Sequence, residues 1–172
     1  MTQAAINERM LPTVDRLRQV LSYEPESGRL TWLVRRGVNV KAGDAAGTDH
    51  EGYVRIKVDG RLLLAHRIAW AMHSGCWPRD EIDHIDGNKS NNCITNLRCV
   101  GRLVNMQNQR VAPSSNRSCG LIGATWLKRK GCWAAQITVA GRKRHLGVFD
   151  SAEKAHGAYV AAKRLMHEGC TL

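Results

Sequence analysis

The stretch from Glu81 to Gln109 combines carboxylates, one histidine and many asparagines. Asp83 directly precedes His84, and Asp86 follows that histidine by two positions. Carboxylate and amide oxygens are ligands for hard divalent cations, and histidine exchanges protons near neutral pH. Cation binding is therefore the first chemistry that this stretch suggests. Its asparagines are Asn88, Asn91, Asn92, Asn96, Asn105 and Asn108.

A calcium loop of the EF-hand type does not fit this stretch. A loop that begins at Asp83 has Ile85 at its third position, where a side-chain oxygen is needed. A loop that begins at Asp86 has Asn91 in place of the required glycine and Leu97 in place of the bidentate glutamate. Both registers fail, so this kind of calcium site is excluded.

Local residue preferences divide the stretch into four elements. Residues 81–85 favour a strand, and residues 86–92 have the Asp, Gly and Asn side chains that turns favour. Residues 94–100 favour a second strand, and residues 102–109 can begin a helix. The predicted order is strand, loop, strand and helix.

In that order of elements, Asp83-His84, Asn96 and Asn105 resemble the motif of the HNH nuclease family. The resemblance is closest to the subgroup in which the last histidine is replaced by asparagine, typical of phage-type homing endonucleases. It covers residues 17–110. It implies a ββα-metal fold and hydrolysis of phosphodiester bonds in double-stranded DNA.

The resemblance also implies a role for each residue of the motif. Asp83 and Asn105 would hold one Mg²⁺ or Mn²⁺ ion through their oxygen atoms. His84 would be the general base that takes a proton from the attacking water. Asn96 would hydrogen-bond across the loop and hold His84 in place. Asn108 is a second-choice ligand, because it lies on nearly the same helix face as Asn105.

Other polar residues near the motif have open assignments. Arg67 and Arg98 are candidates to bind the phosphate beside the metal. The alternatives are a solvated Arg67 and a packing role for His66 at the start of a helix. The remaining loop asparagines are assigned to the turn or to contacts with the DNA backbone; they are Asn88, Asn91 and Asn92.

The charge of the chain favours a polyanionic partner. The formal net charge is +11, and residues 114–172 carry ten basic and three acidic side chains. A region this basic indicates nucleic acid as the partner. A basic surface that only aids solubility is the alternative.

Cysteine spacing and hydropathy exclude several other classes. The six cysteines include no CxxC pair, so we expect reduced thiols and no structural zinc. No run of about 18 apolar residues is present, and residues 1–20 carry charges where a secretory signal would be apolar. We expect a protein that is not secreted and has no membrane partner, lying in the cytoplasm of a host cell if a phage encodes it.

Upstream of the motif, the pattern predicts helices and strands in alternation. Apolar residues at helical spacing from Leu11 to Leu21 predict a helix that ends near residues 23–28. Residues 29–34 favour a short strand. Residues 52–66 favour a hairpin around an Asp-Gly turn. A short helix follows and stops at Gly75.

The C-terminal region predicts a small module of sheet and helix. Three strand-like runs lie between residues 123 and 149, and residues 150–169 favour a helix in which Asp150 and Glu153 fit a capping box. Over residues 120–167 this region resembles the APETALA-type DNA-binding domain of plant ethylene-response factors. The resemblance implies a sheet that enters the major groove with the helix packed behind it. A structural cap with a solvated basic face is the alternative.

Strand alternation separates the two faces of this predicted sheet. Lys143 and His145 fall on the DNA side, because Leu146 belongs to the core. On the preceding strand, the residues expected toward DNA are Ala134, Gln136 and Thr138, and those expected toward the helix are Trp133, Ala135 and Ile137. The basic residues expected to meet phosphates are Lys128, Arg129, Lys130, Arg142 and Arg144.

These observations together predict an α+β protein, with a ββα-metal HNH nuclease domain and a small three-stranded antiparallel sheet packed on one helix. The expected divisions are a bracing helix and strand in 1–50, the nuclease domain in 51–112, a linker in 113–119 and the DNA-binding domain in 120–172. We expect a homing-type, metal-dependent DNA endonuclease that nicks one strand as a monomer or cuts both as a homodimer. The alternatives are a DNA-binding regulatory protein with a degenerate nuclease site, and a structural or RNA-associated basic protein.

Overall fold

The computed structural model describes residues 11–113, 116 and 119–172. Over these residues the chain is α+β, which confirms the predicted fold class. Backbone contacts divide the chain into two compact units, with the boundary in the sequence between Val100 and Gly101. Each unit has its own apolar core. The four divisions expected from the sequence stay a prediction, and residues 114, 115, 117 and 118 of the expected linker lie outside the described residues.

The first unit alternates short helices with small antiparallel sheets. Strands β1 and β2 form one hairpin, β3, β4 and β5 form a three-stranded sheet, and β6 and β7 form a second two-stranded pair. A 3₁₀ turn at Ile94–Asn96 precedes β7. The elements are α1 Val14–Val20, β1 Leu21–Glu24, β2 Arg29–Trp32, β3 Thr48–His50, β4 Tyr53–Val58, β5 Arg61–Leu64, α2 Ala65–Ser74, β6 Glu81–His84 and β7 Leu97–Val100.

A single apolar core holds the first unit together. Leu17 of α1, Ile56 of β4 and Ile68 of α2 have no exposed surface, and Ile82 and Leu97 carry the same core to β6 and β7. Burial of side chains of this size stabilises the fold by about 1.5–3 kcal/mol each. The β6–β7 pair is therefore anchored on the core of its unit.

The first helix is shorter than its apolar pattern predicts. It begins at Val14, where the Thr13 hydroxyl accepts a hydrogen bond from the Arg16 amide as an N-cap. It ends at Val20, because Leu21 turns to extended backbone and pairs with Trp32 in β1–β2. The prediction of a helix through Leu21 was therefore wrong at its end, and strand β1 was missed.

The second unit contains the three-stranded sheet and the long helix that the sequence predicts. Its strand order is β10-β9-β8, all antiparallel, with an irregularity between His145 and Gly147. Helix α4 begins after Ser151, whose hydroxyl accepts from the Lys154 amide, so the cap is Ser151 rather than the predicted Asp150. The elements are α3 Arg102–Gln107, β8 Ala124–Leu127, β9 Cys132–Val139, β10 Arg142–Phe149 and α4 Ala152–Met166.

Small residues let helix α4 approach the sheet closely. Ala124, Ala135 and Ala155 form the buried centre of this core. Gly123 lies beneath the Tyr159 ring, where an added Cβ would come within 2.0 Å of a ring carbon. The small-residue face of the helix therefore packs on the sheet.

The start of this unit is tied to its C-terminal end. The Gly169 amide donates a hydrogen bond of 2.9 Å to Gln107 Oε1 of α3. The Arg110 guanidinium donates to the Thr171 carbonyl, and Lys163 Nζ donates to the Gln109 carbonyl. Helix α3 and the residues just after it are thus held by Lys163 of α4 and by the residues that follow α4. Among the described residues, no helix is long and apolar enough to cross a membrane.

Candidate active site

The β6–β7 pair brings Asp83 and Arg98 opposite each other. The two residues are cross-strand partners in the antiparallel register. Arg98 Nε and Nη2 both contact Asp83 Oδ2, at 2.9 and 2.7 Å. The Asp83 side chain is only 8% exposed and that of Arg98 is 24% exposed. Because the pair is largely shielded from water, the guanidinium compensates much of the cost of burying the carboxylate.

His84 ends strand β6 inside a group of polar and aromatic side chains. Its Nε2 atom lies 3.3 Å from the Oδ1 atom of Asn92, which is itself buried. Its ring meets the His66 ring edge-on, with centroids 5.0 Å apart, and the Tyr53 ring at 6.2 Å. These contacts fix the plane of the imidazole that the sequence nominates as general base.

Burial keeps both histidines of this group neutral. Loss of solvent around His84 lowers its pKa below the ordinary value, although the Asn92 hydrogen bond and Asp86 act in the opposite direction. The pKa of His66 is lowered further, to about 3, by burial, by His84 and by Arg67. A neutral imidazole has a lone pair that can accept a proton. Both the geometry and the charge state of His84 therefore suit a base at neutral pH.

Asn96 closes the loop between the two strands. Its Oδ1 accepts from the Asp86 amide at 2.9 Å, and its Nδ2 donates to Asp86 Oδ1 at 2.9 Å and to the Asn91 carbonyl at 2.8 Å. The predicted hydrogen bonding across the loop is present. The amide that meets the His84 ring at Nε2, however, belongs to Asn92. Asn96 therefore fixes the conformation of the loop that follows His84.

Arg67 holds backbone carbonyls of the segment that leads into β6. Its guanidinium donates to the carbonyls of Pro78 and Asp80, both at 3.1 Å. This places Arg67 in a bracing role and differs from the solvated alternative. Its contact with a phosphate stays a prediction.

Asn105 and Asn108 lie in the second unit. Asn105 is a half-buried residue of α3, and Asn108 is the buried residue that caps its end. The Thr171 hydroxyl donates to Asn108 Oδ1, a contact that fits a structural role for Asn108.

Comparison with known proteins identifies the family. The family model described as "HNH endonuclease" matches residues 63–107, a range that contains Asp83, His84, Asn96 and Asn105. "Protein 3.8" of Escherichia phage T7 is 33% identical over 101 residues, which are 58% of this chain and 82% of that protein.

The chain belongs to the HNH endonuclease family. A solved structure titled "DNA binding and cleavage by the HNH homing endonuclease I-HmuI" is also similar to it, with 19% identity and a TM-score of 0.39 over 92% of this chain and 93% of that one. The family match confirms the predicted nuclease class.

The donor set of this HNH endonuclease suits a hard divalent ion. Asp83 supplies a buried carboxylate at the end of β6, and carboxylate and amide oxygens are the donors that Mg²⁺ and Mn²⁺ prefer. Among the described residues, no three His, Cys, Asp or Glu side chains cluster as a metal site.

The sheet of the second unit presents most of the residues predicted to face DNA. Gln136 pairs with His145, and Thr138 pairs with Lys143, so the four share one face, and all four are exposed. Ala134, also predicted to face DNA, is instead fully buried, because its small side chain lies on the central strand between the larger Thr125 and Val148. The predicted phosphate-binding residues are exposed as well; they are Lys128, Arg129, Lys130, Arg142 and Arg144.

Sequence reasoning missed two features of the site. Asn92 was assigned to the turn or to DNA, and Tyr53 was not considered at all. The contact of Asn92 with His84 depends on how the loop after β6 folds, and the contact of Tyr53 with His84 depends on how a neighbouring sheet packs against β6. Only one signal was available, the adjacent pair Asn91-Asn92, and it does not tell which of the two amides turns inward.

Proposed function

We propose that this HNH endonuclease is a metal-dependent DNA endonuclease of the homing type. The observation that carries the proposal is the placement of Asp83 and His84 at the end of β6, with a buried carboxylate beside a buried, neutral imidazole. A base and a metal ligand on adjacent residues are what hydrolysis of a phosphodiester needs.

In this mechanism His84 takes the proton from the attacking water. Its low pKa keeps the imidazole unprotonated at neutral pH, and Asn92 and His66 fix the ring plane. A base held in one orientation avoids the cost of ordering it during the reaction. His84 therefore acts in the chemical step rather than in docking of the substrate.

Asp83 and Asn105 would hold a divalent ion through their oxygen atoms. When bound, such an ion stabilises the negative charge that develops on the phosphate and the leaving oxygen. Arg98 lies against Asp83, so it also supplies a positive charge beside this ligand. Arg98 binds the phosphate next to the cleaved bond, and Arg67 contributes there while it braces the segment before β6.

The second unit contributes DNA binding. One face of its sheet carries Gln136, Thr138, Lys143 and His145, all exposed, and residues 114–172 hold most of the excess positive charge. Polar side chains on a sheet can read base edges, while arginines and lysines position the protein on the phosphates. With one catalytic histidine in each chain, a monomer nicks one strand and a dimer cuts both.

Cleavage of plasmid DNA tests the proposal. Purified protein is incubated with supercoiled plasmid that contains DNA flanking its own gene, with Mg²⁺, Mn²⁺ or EDTA. We expect nicked or linear product only with a divalent ion. Tight, salt-sensitive binding without cleavage in any metal would instead favour the regulatory protein with a degenerate site.

A further inference from the structure

The N-terminal hairpin contacts the loop that carries Asn92. Residues 21–32 form this hairpin from β1, a turn and β2, and they lie outside the region matched by the HNH family model. The Tyr23 hydroxyl donates to the Asn92 carbonyl at 2.8 Å. The Ile94 amide donates to the Pro25 carbonyl at 2.9 Å. Both bonds lie within residues 92–94 of the loop, a segment that begins with the asparagine whose amide meets His84.

Gly28 makes the closest approach of the hairpin to the same loop. A Cβ atom at this position would lie 2.3 Å from the Cys93 nitrogen and 2.4 Å from the Asn92 carbonyl carbon. Its φ of +72° is also a conformation that only glycine adopts without strain. The turn therefore fits against the loop backbone with no room for a side chain.

These contacts fix where the Asn92 side chain can reach. Burial raises the pKa of Tyr23 to about 12, so its hydroxyl keeps its proton and donates at neutral pH. With its backbone held by Tyr23 and Gly28, Asn92 has only two side-chain torsions between its Cα and the Oδ1 that meets His84 Nε2. Its Nδ2 also donates to the Ser90 carbonyl at 3.3 Å, which sets the amide orientation.

We propose that the N-terminal hairpin is a positioning element for His84 and acts through Asn92. The inference rests on the proposed role of His84 as general base. Tyr23 and Gly28 are positioning residues, because they hold the backbone of Asn92, whose amide oxygen meets the base. The HNH motif of this chain is thus completed by a segment about 60 residues upstream.

Three substitutions and two controls test this role. Tyr23→Phe keeps the ring and removes the donor, Asn92→Ala removes the amide, and Gly28→Ala disturbs the loop backbone. Ser22→Ala removes an exposed hydroxyl of β1 that makes none of these contacts. Gly43→Ala places alanine at an equally left-handed backbone position, φ +92°, with open space around it.

The first readout separates chemistry from binding. In single-turnover cleavage we expect a loss of about tenfold for Tyr23→Phe and about 100-fold for Asn92→Ala, since misplacing a catalytic group by about 1 Å costs about that much. The DNA affinity measured in EDTA should change less than about twofold in every variant. The cleavage rates of the two control variants should also change less than about twofold. Tyr23→Phe with Asn92→Ala should be no slower than Asn92→Ala alone, because both act along one path. Losses that multiply, or wild-type rates in Tyr23→Phe, would overturn the proposal.

The second readout does not need cleavage. The ¹⁵N chemical shifts of the His84 imidazole, assigned by comparison with His84→Ala, should move in Tyr23→Phe, Asn92→Ala and Gly28→Ala and stay fixed in both controls. If the shifts move in these variants but the wild-type protein cuts no DNA, the nuclease proposal is disproved and the positioning role stands. Unmoved shifts in Tyr23→Phe and Asn92→Ala would disprove the positioning role even in an active enzyme.

Discussion

Arg98 lies on the carboxylate of Asp83, with two guanidinium nitrogens within 2.9 Å of the same oxygen, Oδ2. The carboxylate that we propose as a metal ligand is thus also the partner of a guanidinium. A divalent ion must compete with that guanidinium for the charge of Asp83.

Removal of Arg98 should therefore strengthen metal binding. A charge-assisted hydrogen bond contributes about 1.5 kcal/mol, so Arg98→Gln should bind Mn²⁺ about tenfold more tightly, as measured by the electron paramagnetic resonance signal of free Mn²⁺. Arg79→Gln, at an exposed arginine, is the control for charge alone, and thermal unfolding checks that both variants fold. Unchanged or weaker binding in Arg98→Gln would mean that Arg98 does not compete with the ion.

His66 should make the stability of the first unit depend on pH. Its folded pKa of about 3 lies below the ordinary value of 6.5, so the folded state resists protonation. Stability is therefore complete above pH 6.5 and is lost as the pH falls toward 3. From pH 7.5 to pH 5 the loss due to His66 should be about 2 kcal/mol.

Urea unfolding at both pH values, for wild type and His66→Gln, measures this loss. Glutamine cannot be protonated in this range, so the variant should lose about 2 kcal/mol less than wild type over the same interval. Equal losses in the two proteins would show that His66 does not resist protonation in the fold.

The exposed face of the second sheet should bind phosphate through Lys143. Each lost phosphate contact lowers the slope of log affinity against log salt concentration by about 0.9, so we expect that change in Lys143→Ala together with weaker binding to every DNA sequence. Lys154→Ala removes an equal charge from helix α4, where Lys154 pairs with Asp150, and should leave the slope unchanged. Equal effects of the two substitutions would mean that only net charge matters.

Gly123 should be intolerant of any side chain. An alanine there would overlap the Tyr159 ring at 2.0 Å and would adopt φ +78°, so Gly123→Ala should lower the free energy of unfolding by more than about 3 kcal/mol. Gly131→Ala has a similar φ, +60°, with open space around it, and should cost only about 1–2 kcal/mol. Chemical denaturation compares the two. A similar cost for both would show that the Tyr159 ring moves aside freely.

Much of the fold follows from short-range signals in the sequence. The β4–β5 hairpin forms around Asp59-Gly60, both with positive φ, as an Asp-Gly turn between strands predicts. Helix α2 stops at Gly75 in the left-handed conformation, again as predicted. Strand β1 could not be found, because Leu21 continues the helical spacing of α1 and is drawn out of it only by pairing with Trp32.

The candidate site was also predictable only in part from the sequence. Asp83, His84, Asn96 and Asn105 were predicted from their resemblance to a motif, and the family comparison supports that motif. The inward turn of Asn92 and the edge-on contact of His66 depend on contacts between segments distant in sequence. No local preference encodes which of several asparagines will face a histidine.

The most direct test of the account compares two histidine substitutions. His84→Ala removes the proposed base, and His73→Ala removes an exposed histidine of helix α2 in the same unit. Cleavage of supercoiled plasmid with Mn²⁺ and DNA affinity in EDTA are measured for both variants. The account predicts that His84→Ala loses cleavage by at least about 100-fold with affinity nearly intact, while His73→Ala matches wild type in both. Wild-type cleavage by His84→Ala would contradict the central claim that His84 is the general base.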